Sequence, residues 1–141
     1  MEPSIVTRAM HADDYDLVIQ LWTSAEGVEI AEGDDRASIL RFLQRNPELS
    51  RVALLSEKIA GAVLCGHDGR RGLIYHLAVD HRHRGKGIGR RLVEECLTGL
   101  RACGIQRALI LVEKDNNFGR EFWLARGFEE ISGALPFGID V

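Results

Sequence analysis

The sequence predicts a mixed α+β domain whose central sheet is largely antiparallel and flanked by helices. Three observations predict it. Strand-like and helix-like segments are interleaved along the chain. Three successive apolar runs in the middle are joined by turn signals of a few residues, as an antiparallel meander requires. Two helical patterns precede this meander and two follow it. The 141 residues suffice for one domain, 1–141, with a core that needs no metal or disulfide staple.

The elements follow in order. "SIVTRAM" reads as a first strand. "DDYDLVIQLWTSA" places Leu17, Val18, Leu21 and Trp22 on one helical face, with Asp13 or Asp14 as the cap. "DDRASILRFLQRN" is a second helix with Ile39, Leu40, Phe42 and Leu43 inward and Pro47 just past its end. "RVALLS" and "IAGAVLCG" form a hairpin across Glu57–Lys58. Asp68–Gly69 marks the next turn, and "LIYHLAV" is apolar enough to be a central strand. Ile88, Leu92, Val93, Cys96, Leu97 and Leu100 recur at helical spacing, and Gly104 sits where a C-terminal cap belongs. "RALILV" reads as a strand, "FGREFWLAR" as a short helix closed by Gly127, and "FEEIS" and "GIDV" as last strands.

Composition narrows the function classes. The chain is 45% apolar and 28% charged with a net charge of −3, the profile of a soluble folded protein. No apolar run approaches the length of a membrane span, roughly 20 residues. The first ten residues lack the layout of a signal peptide, which points to a cytoplasmic protein and no membrane partner. Cys65, Cys96 and Cys103 have no metal-ligand spacing and read as buried free thiols of a reducing compartment.

The charge is concentrated in "HRHRGKGIGRR", residues 81–91, which holds Arg82, Arg84, Lys86, Arg90 and Arg91 and no acid. A cationic patch on an acidic body fits one anionic ligand held in one place; a nucleic-acid surface would make the whole domain basic. Gly85, Gly87 and Gly89 fall between the end of a strand and the first turn of a helix. The first N–H groups of a helix lack intrahelical partners, and missing side chains let an anion approach them. The segment therefore reads as a pyrophosphate cradle. The dinucleotide fingerprint fails because Arg90 stands where its last glycine belongs, and no Gly-Lys is followed by Ser or Thr. What remains is Arg84-x-x-Gly87-x-Gly89, preceded by "LAV".

That pattern resembles the cofactor motif of the GNAT superfamily of acyl-CoA-dependent N-acyltransferases: Gln or Arg, two residues, Gly, one residue, Gly or Ala. "HLAV" occupies the strand position upstream of that motif, and "NNFGREFWLARGF" is similar to the family's later signature at Asn116, Gly119, Trp123, Gly127 and Phe128. The element order resembles the family through nearly the whole chain. The resemblance implies a GNAT-like sheet with splayed central strands and acetyl-CoA bound between them. Leu77, Ala78 and Val79 would pair with the pantetheine arm as an added strand would. Arg84, Gly85, Lys86, Gly87, Ile88 and Gly89 would hold the pyrophosphate. Asn116 would contact the lower pantetheine, with Gly119 leaving room for it and Trp123 beside the cofactor.

The implied reaction moves an acetyl group to a primary amine by direct attack in a ternary complex. It needs a neutral amine, an oxyanion donor, which a "LAV" backbone N–H supplies, and departure of the thiolate. Relatives often carry a tyrosine acid where this chain has Trp123; a thiol of pKa ~8.5 leaves tolerably as its anion. Strand parity sets Tyr75 on the side of Leu77 and turns His76 away. Glu113 is the nearest carboxylate on the next strand, so a chain of waters ending at Tyr75 or Glu113 is the expected base. His81 and His83 read as surface residues with no third metal ligand beside them. The acidic run with Glu26, Glu29, Glu32, Asp34 and Asp35 reads equally as a solvated loop and as the partner of a cationic acceptor. A homodimer through the late strands is compatible with the resemblance, and a non-catalytic acyl-CoA-binding or sensing module is the alternative function.

Overall fold

A single meander sets the frame. In the computed structural model, which describes residues 4–141, strand β1 (Ile5–Ala9) is followed by helices α1 (Tyr15–Ser24) and α2 (Arg36–Arg45). Strands β2 (Arg51–Leu55), β3 (Lys58–His67) and β4 (Gly72–Val79) come next, then helix α3 (Ile88–Ala102) and the short strand β5 (Ala108–Leu109). The sheet order is β1-β2-β3-β4-β5, antiparallel except for the β4–β5 pair. The contacts group into two units, one ending at Leu111 and one of Val112–Val141; the latter carries helix α4 (Asn117–Ala125). No helix among the described residues is long and apolar enough to cross a membrane.

The first unit is a sheet with a helix layer on each face. Val18 and Trp22 of α1 and Ile39 of α2 pack with Val52, Ala62, Leu64 and Ala78 on one face. On the other, α3 lies so close that a Cβ on Gly61 would stand 2.8 Å from Ile88 and 3.2 Å from Leu92. Gly61 is therefore a packing requirement: a side chain there would push the first turn of α3 off the sheet. Gly104, at φ 80°, ends α3. The Ile105 N–H closes back on the Leu100 carbonyl at 3.0 Å.

Several local expectations are corrected. Asp14 does not cap α1 with its side chain; its carboxylate takes two hydrogen bonds from Arg8, at 2.7 and 2.8 Å, and one from the His11 N–H at 2.8 Å. Leu17 is exposed, because α1 buries only the narrow stripe of Val18 and Trp22. The β2–β3 turn is Ser56–Glu57, both at positive φ, so Lys58 already belongs to β3. Cys65 and Cys96 are buried thiols, but Cys103, at the C-terminal end of α3, is exposed. "RALILV" yields only Ala108–Leu109 as strand, and residues 128–141 contain none. In that tail Leu135, Phe137, Ile139 and Val141 alternate and are all exposed, so strand-like patterning has no described sheet to join.

The parity expectation for β4 fails for a different reason. Leu64 faces Tyr75 and Ala62 faces Ala78, so three steps on β4 match two on β3. His76 absorbs the extra residue at φ 54°. This bulge resets the alternation: Tyr75 and Ala78 share the α1 face, and the His76 ring packs edge-on against Trp22 at 5.0 Å on that same side.

Candidate acyl-CoA site

The site begins where β4 loses a neighbour. β5 pairs with β4 only at Gly72 and Leu73, leaving Ile74–Val79 without a strand on that side. The backbone of Leu77, Ala78 and Val79 lies in this open stretch. An extended chain laid there would find hydrogen-bonding groups already in strand geometry.

At the end of β4 the chain is pinned by Asp80. Its N–H donates to the Ala60 carbonyl at 2.8 Å, and its own carbonyl accepts from the His83 N–H at 2.8 Å. Its carboxylate accepts from the Arg82 backbone at 3.0 Å and from the Arg82 guanidinium at 3.1 and 2.8 Å. These charge-assisted bonds hold the Asp80 carboxyl well below the usual carboxylate range. They also spend most of the Arg82 charge locally. Arg90 and Arg91 are likewise paired, with Glu94 and Glu95 one turn on along α3. Of the five cations in the cluster, Arg84 and Lys86 are those without an acidic partner among the described residues; the Lys86 ammonium meets only His83, at 3.2 Å.

Gly87 is the N-cap of α3, at φ 80° and ψ 12°, with no side chain to satisfy the helix terminus. The first intrahelical bond runs from the Arg91 N–H to the Gly87 carbonyl at 3.0 Å. The N–H groups of Ile88, Gly89 and Arg90 thus have no acceptor inside the helix. A Cβ on Gly85 or Gly87 would meet no protein atom within 4 Å, so both glycines border open space. Beside the loop lies a cavity of about 510 Å³, lined by Leu21, Ser24 and Ala25 from the end of α1 and by Val79, Asp80 and Arg84. That volume is in the range of small-molecule sites. Open strand edge, two unpaired cations, free N–H groups and cavity make a receptor for a long ligand with an anionic end.

Tyr75 is half-buried, and that burial pushes its hydroxyl above the ordinary tyrosine value, so it keeps its proton at neutral pH. In the second unit Glu113 is exposed, and its carbonyl accepts the Asn116 N–H at 3.0 Å. Asn116 caps α4, its Oδ1 accepting from the Gly119 N–H at 2.9 Å. A Cβ on Gly119 would stand 2.4 Å from the Asn116 Nδ2, so that amide would have to shift to admit a side chain. The Asn116 Nδ2 has no partner among the described residues. Trp123 is half-buried between Phe122 and Phe128, ring centroids at 5.2 and 5.0 Å, both edge-on.

Comparison with known proteins places this receptor. Residues 15–128 match the model of the acetyltransferase (GNAT) family. The chain belongs to the GNAT acetyltransferase family. A protein named acetyltransferase from Pectobacterium atrosepticum is 34% identical over 110 residues, covering 78% of this chain and 77% of that one. Ard1 from Thermoplasma volcanium shares the fold with a TM-score of 0.79 at 22% identity, over 89% of this chain and 82% of that one. Rv2747 from Mycobacterium tuberculosis, whose structure is in complex with CoA and NLQ, matches with a TM-score of 0.73 at 25% identity, over 94% and 76% of the two chains. The family transfers acetyl groups from acetyl-CoA, and acyl transfer is the class of activity that membership implies for this GNAT chain.

The sequence reading missed that Asp34 and His76 meet. Asp34 reads there as part of a solvated acidic run, yet it is buried and its carboxylate lies 3.0 Å from the His76 Nε2. The available signal was the Asp34–Asp35 doublet ahead of α2, since one aspartate suffices as a cap. Asp35 takes that role by accepting the Ser38 N–H at 3.2 Å.

Proposed function

We propose that this protein is an N-acetyltransferase that moves the acetyl group of acetyl-CoA to a primary amine by direct attack in a ternary complex. The observation that carries the reading is the open edge of β4 running into the Arg84–Gly89 loop, which holds two cations without an acidic partner among the described residues and the free N–H groups of the α3 terminus. On this reading the Leu77–Val79 backbone pairs with the pantetheine amides, and one of its N–H groups steadies the oxyanion. Arg84, Gly85, Lys86, Gly87, Ile88 and Gly89 take the pyrophosphate. Asn116, Gly119 and Trp123 of the second unit are the further residues proposed to bind the cofactor. The CoA-bound relative supports the cofactor assignment.

The chemistry asks the protein for position and proton management, with no covalent intermediate on the enzyme. Tyr75, which holds its own proton, relays through its hydroxyl to a chain of waters. The family match across residues 15–128 supports one functional domain over 1–141. The free thiols support a cytoplasmic setting. The exposed alternation at Leu135, Phe137, Ile139 and Val141 supports a homodimer in which that tail finds a strand of a second copy.

A panel of amines with acetyl-CoA, read by release of the CoA thiol, tests the proposal. Turnover with at least one acceptor is expected, and CoA should displace the bound donor better than ADP, ATP or NAD, which lack the pantetheine. Acetyl-CoA binding with no thiol release across the panel would establish the non-catalytic module instead. Equal competition by ATP would reduce the site to a generic phosphate cradle.

A further inference from the structure

We propose that His76, held by Asp34, is the group that takes the proton from the acceptor amine. The inference rests on the acetyl-transfer reading above and puts His76 ahead of the Tyr75 water chain as the first acceptor of the proton. His76 lies in the open stretch of β4, immediately before Leu77–Val79. Its backbone, at φ 54°, is in the left-handed region. Non-glycine residues seldom occupy that region, and they persist there only where the surroundings impose it.

Here the surroundings are specific. The Nε2 is 3.0 Å from both carboxylate oxygens of Asp34. The ring stands edge-on to Trp22 at 5.0 Å and to Tyr75 at 6.4 Å. Asp34 is fixed in turn: Oδ2 accepts the Ala31 N–H at 3.1 Å, and its carbonyl accepts the Tyr15 hydroxyl at 2.7 Å. The two side chains are 18% and 11% exposed, so the pair is shielded from solvent. The titratable and charged groups around it are Asp34 from the loop before α2, Tyr75 of β4, Tyr15 of α1, and Arg36 of α2 at 4.9 Å from the Tyr15 ring.

A carboxylate at Nε2 selects the tautomer with the proton on that nitrogen and leaves the lone pair on Nδ1. The His76 Nδ1 has no hydrogen-bond partner among the described residues and is not one of the fully buried unpaired atoms there. A base with its far nitrogen anchored and its near nitrogen free has the arrangement of an oriented general base. In the step assigned to it, the amine lone pair attacks the thioester carbonyl carbon and the C–N bond forms. The N–H proton passes to Nδ1, and Asp34 offsets the imidazolium charge. The C–S bond then breaks with its electron pair on sulfur, and the proton moves from Nδ1 to that thiolate. Amine and acetyl-CoA become amide and CoA thiol, with His76 restored.

The test uses the full chain and two substitutions. His76→Asn keeps a residue type that tolerates left-handed backbone but removes the base. Asp34→Asn keeps shape but removes the orienting charge. Acetyl-CoA binding is measured by calorimetry, kcat and kcat/KM from about pH 5 to pH 9 with the best amine of the panel, and the His76 tautomer by 15N NMR. Expected are near-normal acetyl-CoA binding by His76→Asn, a loss of about 100-fold in kcat, and a pH profile different from that of the wild type. In the wild type the 15N spectrum should show the proton on Nε2, and Asp34→Asn should lose that preference and part of the rate. Wild-type kcat and pH profile in His76→Asn would overturn the proposal, as would a proton on Nδ1. Loss of acetyl-CoA binding in step with kcat/KM would make His76 a prop of the sheet and overturn it too. If His76→Asn fails to fold, Asp34→Asn and the tautomer decide. A wild type that neither binds acetyl-CoA nor releases thiol would sink the acetyl-transfer reading and this proposal with it; turnover that ignores both substitutions sinks this proposal alone.

Discussion

Gly87 allows the cradle to be tested with conformational strain and ligand occlusion separated. Its φ is 80°, in the left-handed region. That conformation costs an L-residue about 1–2 kcal/mol, partly offset in Gly87→Ala by about 0.4–1 kcal/mol of unfolded-state entropy. A net loss of about 1 kcal/mol corresponds to a Tm lowered by roughly 3 °C in a domain of this size. Gly87→Asn should lose less, because asparagine enters the left-handed region more readily. A Cβ here touches no protein atom within 4 Å, so any loss of acetyl-CoA affinity beyond the strain comes from the ligand side. Gly87→Glu adds a carboxylate at the terminus of α3. At a distance of about 5 Å a unit charge repels another by about 0.8 kcal/mol in water and about 3 kcal/mol at an effective dielectric of about 20. We expect acetyl-CoA affinity to fall at least tenfold, about 1.4 kcal/mol, and the deficit to shrink as salt screens the repulsion. Calorimetry with acetyl-CoA at low and high salt, beside thermal unfolding without ligand, reads the two terms apart. A folded Gly87→Glu protein that binds acetyl-CoA within about twofold of the wild type would remove the pyrophosphate from this loop.

Further outcomes follow from other residues. Trp123→Phe should keep most of the turnover, since no proton is taken from the indole, and Trp123→Tyr should raise it, most visibly below the thiol pKa; a loss of about 100-fold in the Phe variant with acetyl-CoA binding intact would give the indole a direct role. Asp14→Asn should destabilise the fold at neutral pH by about 1–2 kcal/mol. That figure is held down because the Arg8 side chain is 35% exposed. Burial alone would raise the Asp14 carboxyl, but the Arg8 hydrogen bonds and the His11 N–H bring it below its ordinary value. Its contribution is therefore present above the unfolded pKa of about 3.9 and lost as pH falls through the lower folded value. Urea unfolding at neutral pH and at about pH 3 should show the Asp14→Asn deficit shrink in acid, and an equal deficit at both would refute the pairing.

The order of elements through α4, the helix faces of Trp22, Ile39 and Leu92, and the glycine-rich entry to α3 were legible in the chain, because each rests on periodicity or on residues within one turn of one another. The same holds for the family motif, a local pattern of backbone freedom and charge. What remained hidden depends on partners far apart in sequence or on how the chain is laid down. The cluster of five cations reads as one patch; its acidic partners Asp80, Glu94 and Glu95 stand within four residues of Arg82, Arg90 and Arg91, and the fold pairs those three and leaves Arg84 and Lys86 without an acid among the described residues. Simple alternation along β4 holds as far as Tyr75; the bulge that turns His76 onto the α1 face comes from the register with β3, which no local pattern encodes. The last strands, "FEEIS" and "GIDV", failed for the same reason in reverse: Phe128 and Ile131, or Ile139 and Val141, supply apolar residues, but a strand exists only where another backbone takes its hydrogen bonds. Asp34 and His76 lie 42 positions apart, and their meeting is decided by how the loop before α2 packs over the sheet. Local chemistry sets what each segment can become, and tertiary contact decides which of its polar groups are spent on the fold and which remain for a ligand.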